Sequence, residues 1–78
     1  MRLLLIEDDA EVANYLIKGL RENGFVVDHA SDGKEGLYLA TSEDYGVMIV
    51  DRMLPALDGL VIVKSVRAAG KSTPALIL

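Results

Sequence analysis

Apolar residues along the chain fall into two alternating patterns, short unbroken runs and longer stretches with a helical repeat. Leu3–Ile6 is a continuous apolar run, as expected of a strand covered on both faces. Between Glu11 and Asn23, the residues Val12, Ala13, Leu16, Ile17 and Leu20 recur at helical spacing, with charged residues opposite. Asn23-Gly24 predicts the stop of that helix, since glycine accepts the left-handed conformation there at little cost. Phe25–Ala30 predicts a second strand, with Phe25 and Val27 on one face and Val26 on the other. Asp32 and Glu35 have capping-box spacing and open a second helix running to about Ser42. Tyr45–Val50 predicts a third strand. Pro55 and Asp58-Gly59 mark a turn, after which a third helix runs from about Leu60 to Ala69, burying Val63 and Val66 and stopping at Gly70. Pro74 leads into a last apolar run, Ala75–Leu78. Strands alternating with short helices imply right-handed crossovers and a mostly parallel sheet. The fold class is α/β.

Composition narrows what such a fold can do. A chain of 78 residues makes one small domain, and 51% hydrophobic residues exclude a disordered tail. Eight basic against twelve acidic residues, a net charge of −4, argue against a nucleic-acid-binding surface. With no cysteine and one histidine, neither disulfides nor a structural zinc is available. No apolar run exceeds four or five residues, so no membrane span or signal peptide is expected, and the expected location is cytoplasmic. No glycine-rich phosphate loop of the dinucleotide or Walker type is present, which disfavours nucleotide binding.

The candidate chemistry is acidic. Glu7, Asp8, Asp9 and Glu11 follow the first strand directly, and Asp51 stands at the end of the third. In an open α/β sheet, sites form at the carboxyl ends of strands where the connection order reverses. If the first and third strands are neighbours, Asp8, Asp9 and Asp51 converge there. Carboxylates that close repel, so some are protonated or a cation sits between them, and an oxygen-only donor set favours Mg²⁺. Asp8 and Glu11 also have the spacing of a capping box, so Asp8 fits a helix cap as well as a ligand. His29 reads as a surface or half-buried structural residue, and Tyr15, Tyr38 and Tyr45 as packing residues.

These residues carry a resemblance. Ile6-Glu7-Asp8-Asp9 after the first strand, Asp32-Gly33 opening the second helix, Asp51-Arg52-Met53-Leu54-Pro55 after the third strand, and Asp58-Gly59 together resemble the receiver domain of bacterial two-component response regulators. The resemblance runs from residue 1 to residue 78. It implies a flavodoxin-like doubly wound sheet, here an incomplete (βα)3β portion with strand order 2-1-3-4. It implies Asp51 as phosphoacceptor, with Asp8, Asp9, Asp51 and the main-chain carbonyl of Met53 holding Mg²⁺, and no ligand role for Glu7. The implied partner is a sensor histidine kinase, and the implied role is that of a signalling regulator, not a turnover enzyme. The Met1–Asp9 and Arg52–Pro55 segments are similar to the winged-helix transcription-factor branch, in which DNA contact belongs to a separate output domain.

A whole receiver of that family has five strands and five helices in roughly 120 residues, an ordinary domain size. On that template residues 1–78 form its N-terminal part, and helix four, strand five, helix five, the switch Ser or Thr and the conserved lysine would lie beyond Leu78. The exposed fourth strand then predicts self-association. Two other functions are weighed against signalling. A phosphotransferase using Asp51 as covalent nucleophile would want a second acid two residues on, where the chain has Met53. A non-phosphorylated interaction module would have no use for the acidic set.

Overall fold

The computed structural model describes residues 1–78. Its elements are β1 (Arg2–Ile6), α1 (Ala10–Glu22), β2 (Val26–Ala30), α2 (Gly33–Ser42), β3 (Val47–Val50), α3 (Gly59–Ala68) and β4 (Ala75–Ile77). The four strands form one sheet in the order β2-β1-β3-β4, and every pairing is parallel. The fold class and strand order agree with the reading of the sequence. No helix is long and apolar enough to cross a membrane.

Period-two alternation divides the sheet between two layers. Leu3 and Leu5 lie in register with Val27, Val47, His29 and Ile49, and their face packs under α1 through Ala13, Leu16, Ile17 and Leu20. Leu4 and Ile6 face the other way with Met48, Val50 and Ala30, beneath Ala40 of α2 and Ile62 and Val66 of α3. Both strand faces are therefore covered, which explains why β1 reads as an unbroken apolar run. The third helix packs chiefly through Ile62 and Val66, both fully buried, while Val63, expected in the core, is half-buried at its margin. The helix begins at Gly59, one residue earlier than expected, and its inward face follows the four-residue spacing of Ile62 and Val66. The third strand starts at Val47, because Tyr45 lies in the preceding loop with its hydroxyl on Asp28.

Helix ends follow local chemistry. Gly24 (φ 87°) and Gly70 (φ 85°) take the left-handed conformation after α1 and α3, where the sequence placed the stops. Asp32 caps α2 by accepting the Glu35 N–H at 2.8 Å. At the amino-terminal end of the sheet, Arg2 bridges Asp28 at 2.8 Å and Glu43 at 3.1 Å, and lies 4.9 Å from the Tyr45 ring centroid. Lys71, in the loop before β4, donates to Asp44 Oδ1 at 2.7 Å, tying that loop to the one preceding β3. With their amino ends tied together in this way, β1 and β3 emerge side by side at their carboxyl ends.

Candidate functional site

At the carboxyl end of the sheet, carboxylate oxygens of Glu7, Asp8 and Asp51 all lie within 4.8 Å of one another. Glu7 is buried, Asp51 half-buried and Asp8 exposed, so the set grades from the core outward to solvent. The convergence is set by the ladders: Glu7 N–H donates to Ala30 O at 3.1 Å, and Asp51 N–H donates to Ile6 O at 3.0 Å. Both acids are thus held by the last hydrogen bonds of neighbouring strands.

The sequence reading expected Asp9 in this set and Glu7 outside it. The structure places them the other way round. Helix α1 begins at Ala10, so Asp9 is the residue immediately before it and acts as the cap. Its Oδ1 accepts from the N–H groups of Glu11 at 2.9 Å and Val12 at 3.1 Å. The capping alternative considered for Asp8 therefore falls to Asp9, and Asp8 remains free for the acidic set. Glu7 turns inward because its N–H still belongs to the β1–β2 ladder. Burial first, then the hydrogen bond that the protonated Glu7 carboxyl donates to Asp51, together with the Asp51 charge, push Glu7 up to about 7.

The loop after β3 is folded tightly around Asp51. Met53 N–H donates to Asp51 Oδ1 at 2.9 Å, which brings the Met53 backbone against the carboxylate. Gly59 N–H donates to Arg52 O at 3.1 Å and closes the loop, while the Leu54 side chain is buried beneath it. The close approach of α3 requires Gly59 to lack a side chain: a Cβ there would lie 2.6 Å from Asp51 O and 2.9 Å from Arg52 Cα. On the far side, Leu57 packs on Gly33 at the start of α2, where a Cβ would meet Leu57 Cβ at 2.9 Å. These two glycines correspond to the Asp32-Gly33 and Asp58-Gly59 pairs of the sequence, and both admit the Asp51 loop to its seat.

His29 was missed as a neighbour of the site. Its Nε2 lies 2.9 Å from the main-chain oxygen of Glu7. Its position one residue before Ala30, the last laddered residue of β2, carried a signal, but only knowledge of the β1–β2 register makes it readable.

Chemically, three clustered carboxylates form an oxygen-only donor set of high negative charge. A hard divalent cation fits such a set.

Comparison with known proteins gives a consistent picture. The model of the family described as response regulator receiver domain matches residues 3–78. The transcriptional regulatory protein CusR of Escherichia coli (strain K12) is 47% identical over 78 residues, covering 100% of this chain and 34% of that protein. The chain thus spans about a third of the length of the curated relatives it matches. Among solved structures, the Francisella response regulator 1452 receiver domain has a TM-score of 0.93 at 36% identity, covering 97% of this chain and 63% of that one. The Thermotoga maritima response regulator protein TrrA, in complex with Mg(2+)-BeF, has a TM-score of 0.86 at 30% identity, covering 97% and 64%.

Proposed function

The chain belongs to the response regulator receiver domain family, and on that premise we propose that it is the phosphorylation-controlled receiver of a two-component signalling system, with Asp51 as phosphoacceptor. The observation that carries this reading is the convergence of Asp51 with Glu7 and Asp8 at the carboxyl end of neighbouring strands, with carboxylate oxygens within 4.8 Å.

Glu7, Asp8 and Asp51 would hold Mg²⁺, with the Met53 main-chain carbonyl as a further oxygen donor brought close by the Met53–Asp51 hydrogen bond. The relative TrrA, solved in complex with Mg(2+)-BeF, supports that choice of metal. When bound, the ion offsets the charge that gathers as one carboxylate approaches phosphoryl oxygens. Asp51 supplies the nucleophilic oxygen: a new oxygen–phosphorus bond forms, the phosphorus–nitrogen bond of the sensor kinase's phosphohistidine breaks, and the imidazole nitrogen retains the electron pair. Met53 N–H holds Asp51 Oδ1 in place and so fixes the direction of the second oxygen. Asp9 takes no part in metal binding; it caps α1 and thereby anchors the turn that carries Asp8. The chemistry ends on the protein's own carboxylate, so the chain is a regulator and not a turnover enzyme.

The relatives' transcriptional role supports an output in gene regulation through a domain outside residues 1–78, and a cytoplasmic location accompanies that role. Self-association of this chain is supported by the edge strand β4, where Leu76 is exposed, and by the exposed Leu78 just after it.

The test is incubation with a small phosphodonor, with and without Mg²⁺, followed by intact-mass measurement. The reading expects a gain of one phosphoryl group that requires Mg²⁺ and is lost in Asp8→Asn but retained in Asp9→Asn. Equal labelling of the Asp8 variant and the parent would overturn it.

A further inference from the structure

His29 is the chain's single histidine, and the transfer chemistry does not use it. It lies half-buried on β2, in register with Leu5 and on the face beneath α1. Its Nε2 is 2.9 Å from Glu7 O. A carbonyl oxygen only accepts, so Nε2 carries the proton and donates. Glu7 N–H in turn donates to Ala30 O at 3.1 Å. Strand β2 therefore grips the Glu7 backbone twice, through its main chain at the nitrogen and through the His29 ring at the carbonyl.

That carbonyl belongs to the peptide unit joining Glu7 to Asp8. A peptide unit is planar and fixes the Cα atoms at both of its ends. Its orientation therefore sets the directions in which both carboxylates leave the chain. Beyond this point β1 has no further ladder bond; the turn is restrained only by a long hydrogen bond of 3.4 Å from Asp9 N–H to Glu7 Oε2 and by the Asp9 cap on α1, and neither touches the Glu7 carbonyl. The ring is the one hydrogen-bond partner of the Glu7 carbonyl, so without it the plane between the two acids loses its direct anchor.

We propose that His29 is a positioning residue for the acidic set: by donating from Nε2 to the Glu7 carbonyl, it fixes the Glu7–Asp8 peptide plane and thereby the affinity of the two carboxylates for Mg²⁺. This inference rests on the Mg²⁺ reading given above. It requires no change in the charge of the ring, because Nε2–H donates in the neutral Nε2–H tautomer and in the cation alike.

Substitutions separate positioning from packing. The side-chain amide nitrogen of glutamine reaches about as far as Nε2, that of asparagine only as far as Nδ1, and leucine keeps the bulk without a donor. The Mg²⁺ dissociation constant is read from amide NMR shifts during titration of the parent, His29→Gln, His29→Asn and His29→Leu, with urea midpoints recorded alongside. Imidazole nitrogen shifts of the metal-free parent report the tautomer. The expected result is a constant about tenfold weaker in the leucine and asparagine variants and within about twofold of the parent in His29→Gln, irrespective of the order of their stabilities. Equal Mg²⁺ affinity in all four proteins, or a neutral ring protonated only at Nδ1, would overturn the inference while leaving the Mg²⁺ site intact. Absence of Mg²⁺ binding by the parent would overturn the site and this inference together, and is distinguished by the parent titration alone.

Discussion

Replacing Gly59 with alanine adds one methyl group at the point where α3 meets the acceptor loop. The new Cβ would stand 2.6 Å from Asp51 O, 2.9 Å from Arg52 Cα and 3.1 Å from Val50 Cγ1. The two nearest atoms are backbone, so no rotamer change relieves them. Ordinary contact begins near 3.4 Å, so α3 and the Asp51 backbone must separate by about 0.8 Å. Overpacking of this kind costs about 1–3 kcal/mol, against which the smaller backbone entropy of alanine in the unfolded chain returns at most about 1 kcal/mol. The net expectation is a loss of roughly 1–2 kcal/mol in urea unfolding. Function is expected to suffer more than stability, because the displaced atoms include the acceptor residue itself. A shift approaching 1 Å at reacting atoms can cost up to about a hundredfold in rate, so labelling by a phosphodonor is expected to slow by about 10- to 100-fold. Gly19→Ala is the control: nothing lies within 4 Å of its added Cβ, and its site in α1 predicts a gain of about 0.5–1 kcal/mol with unchanged labelling. A Gly59→Ala protein as stable and as quickly labelled as the parent would refute the argument that close approach dictates glycine there.

Three further outcomes follow from the structure. Glu7 has its carboxyl raised from 4.5 to about 7, chiefly by burial, so the metal-free folded state binds more protons than the unfolded one. Its contribution is complete below pH ~4.5 and lost as pH rises through about 7, by roughly 1–3 kcal/mol once solvent at the sheet's end is allowed for; urea midpoints across that range should fall in the parent and stay flat in Glu7→Gln, and a flat parent profile would contradict it. Tyr45→Phe removes the hydroxyl that donates to Asp28 at 2.8 Å, while Arg2 continues to pair with that carboxylate, so a loss of about 0.5–1.5 kcal/mol is expected in thermal or urea unfolding. Leu76 is 55% exposed on the edge strand, so light scattering should show a mass that grows with concentration and is lowered by Leu76→Lys; a concentration-independent monomer would remove self-association from the account.

How much of this was legible in the sequence depends on the scale at which a feature is set. Alternation of apolar runs with helical stretches is a property of whole segments, and it yielded the α/β class and every element in order. Asp8 and Asp51 were readable because each stands within two residues of the end of an apolar run, where strand ends must meet. The exchange between Glu7 and Asp9 turned on a single residue. Of three successive acids, the one that caps α1 is decided by whether the helix starts at Asp9 or Ala10, and pattern alone leaves such boundaries open by a residue or two. Which of the adjacent apolar residues Ile62 and Val63 faces the sheet was likewise open, since Val66 is a helical neighbour of both, and the structure buries Ile62. Features joining distant positions carried no local signal at all. Arg2, Asp28, Glu43 and Tyr45 form one network only after the strands pair, and the His29–Glu7 contact spans β1 and β2 in the same way.

The central claim is that Asp51 accepts a phosphoryl group with the help of Glu7 and Asp8. The most direct measurement is peptide mapping by mass spectrometry after treatment with Mg²⁺ and a phosphodonor, beside an Asp51→Asn protein treated identically. The account predicts one added phosphoryl group, located at Asp51 and absent from the variant. An unmodified parent, or a label on a different residue that persists in Asp51→Asn, would contradict it.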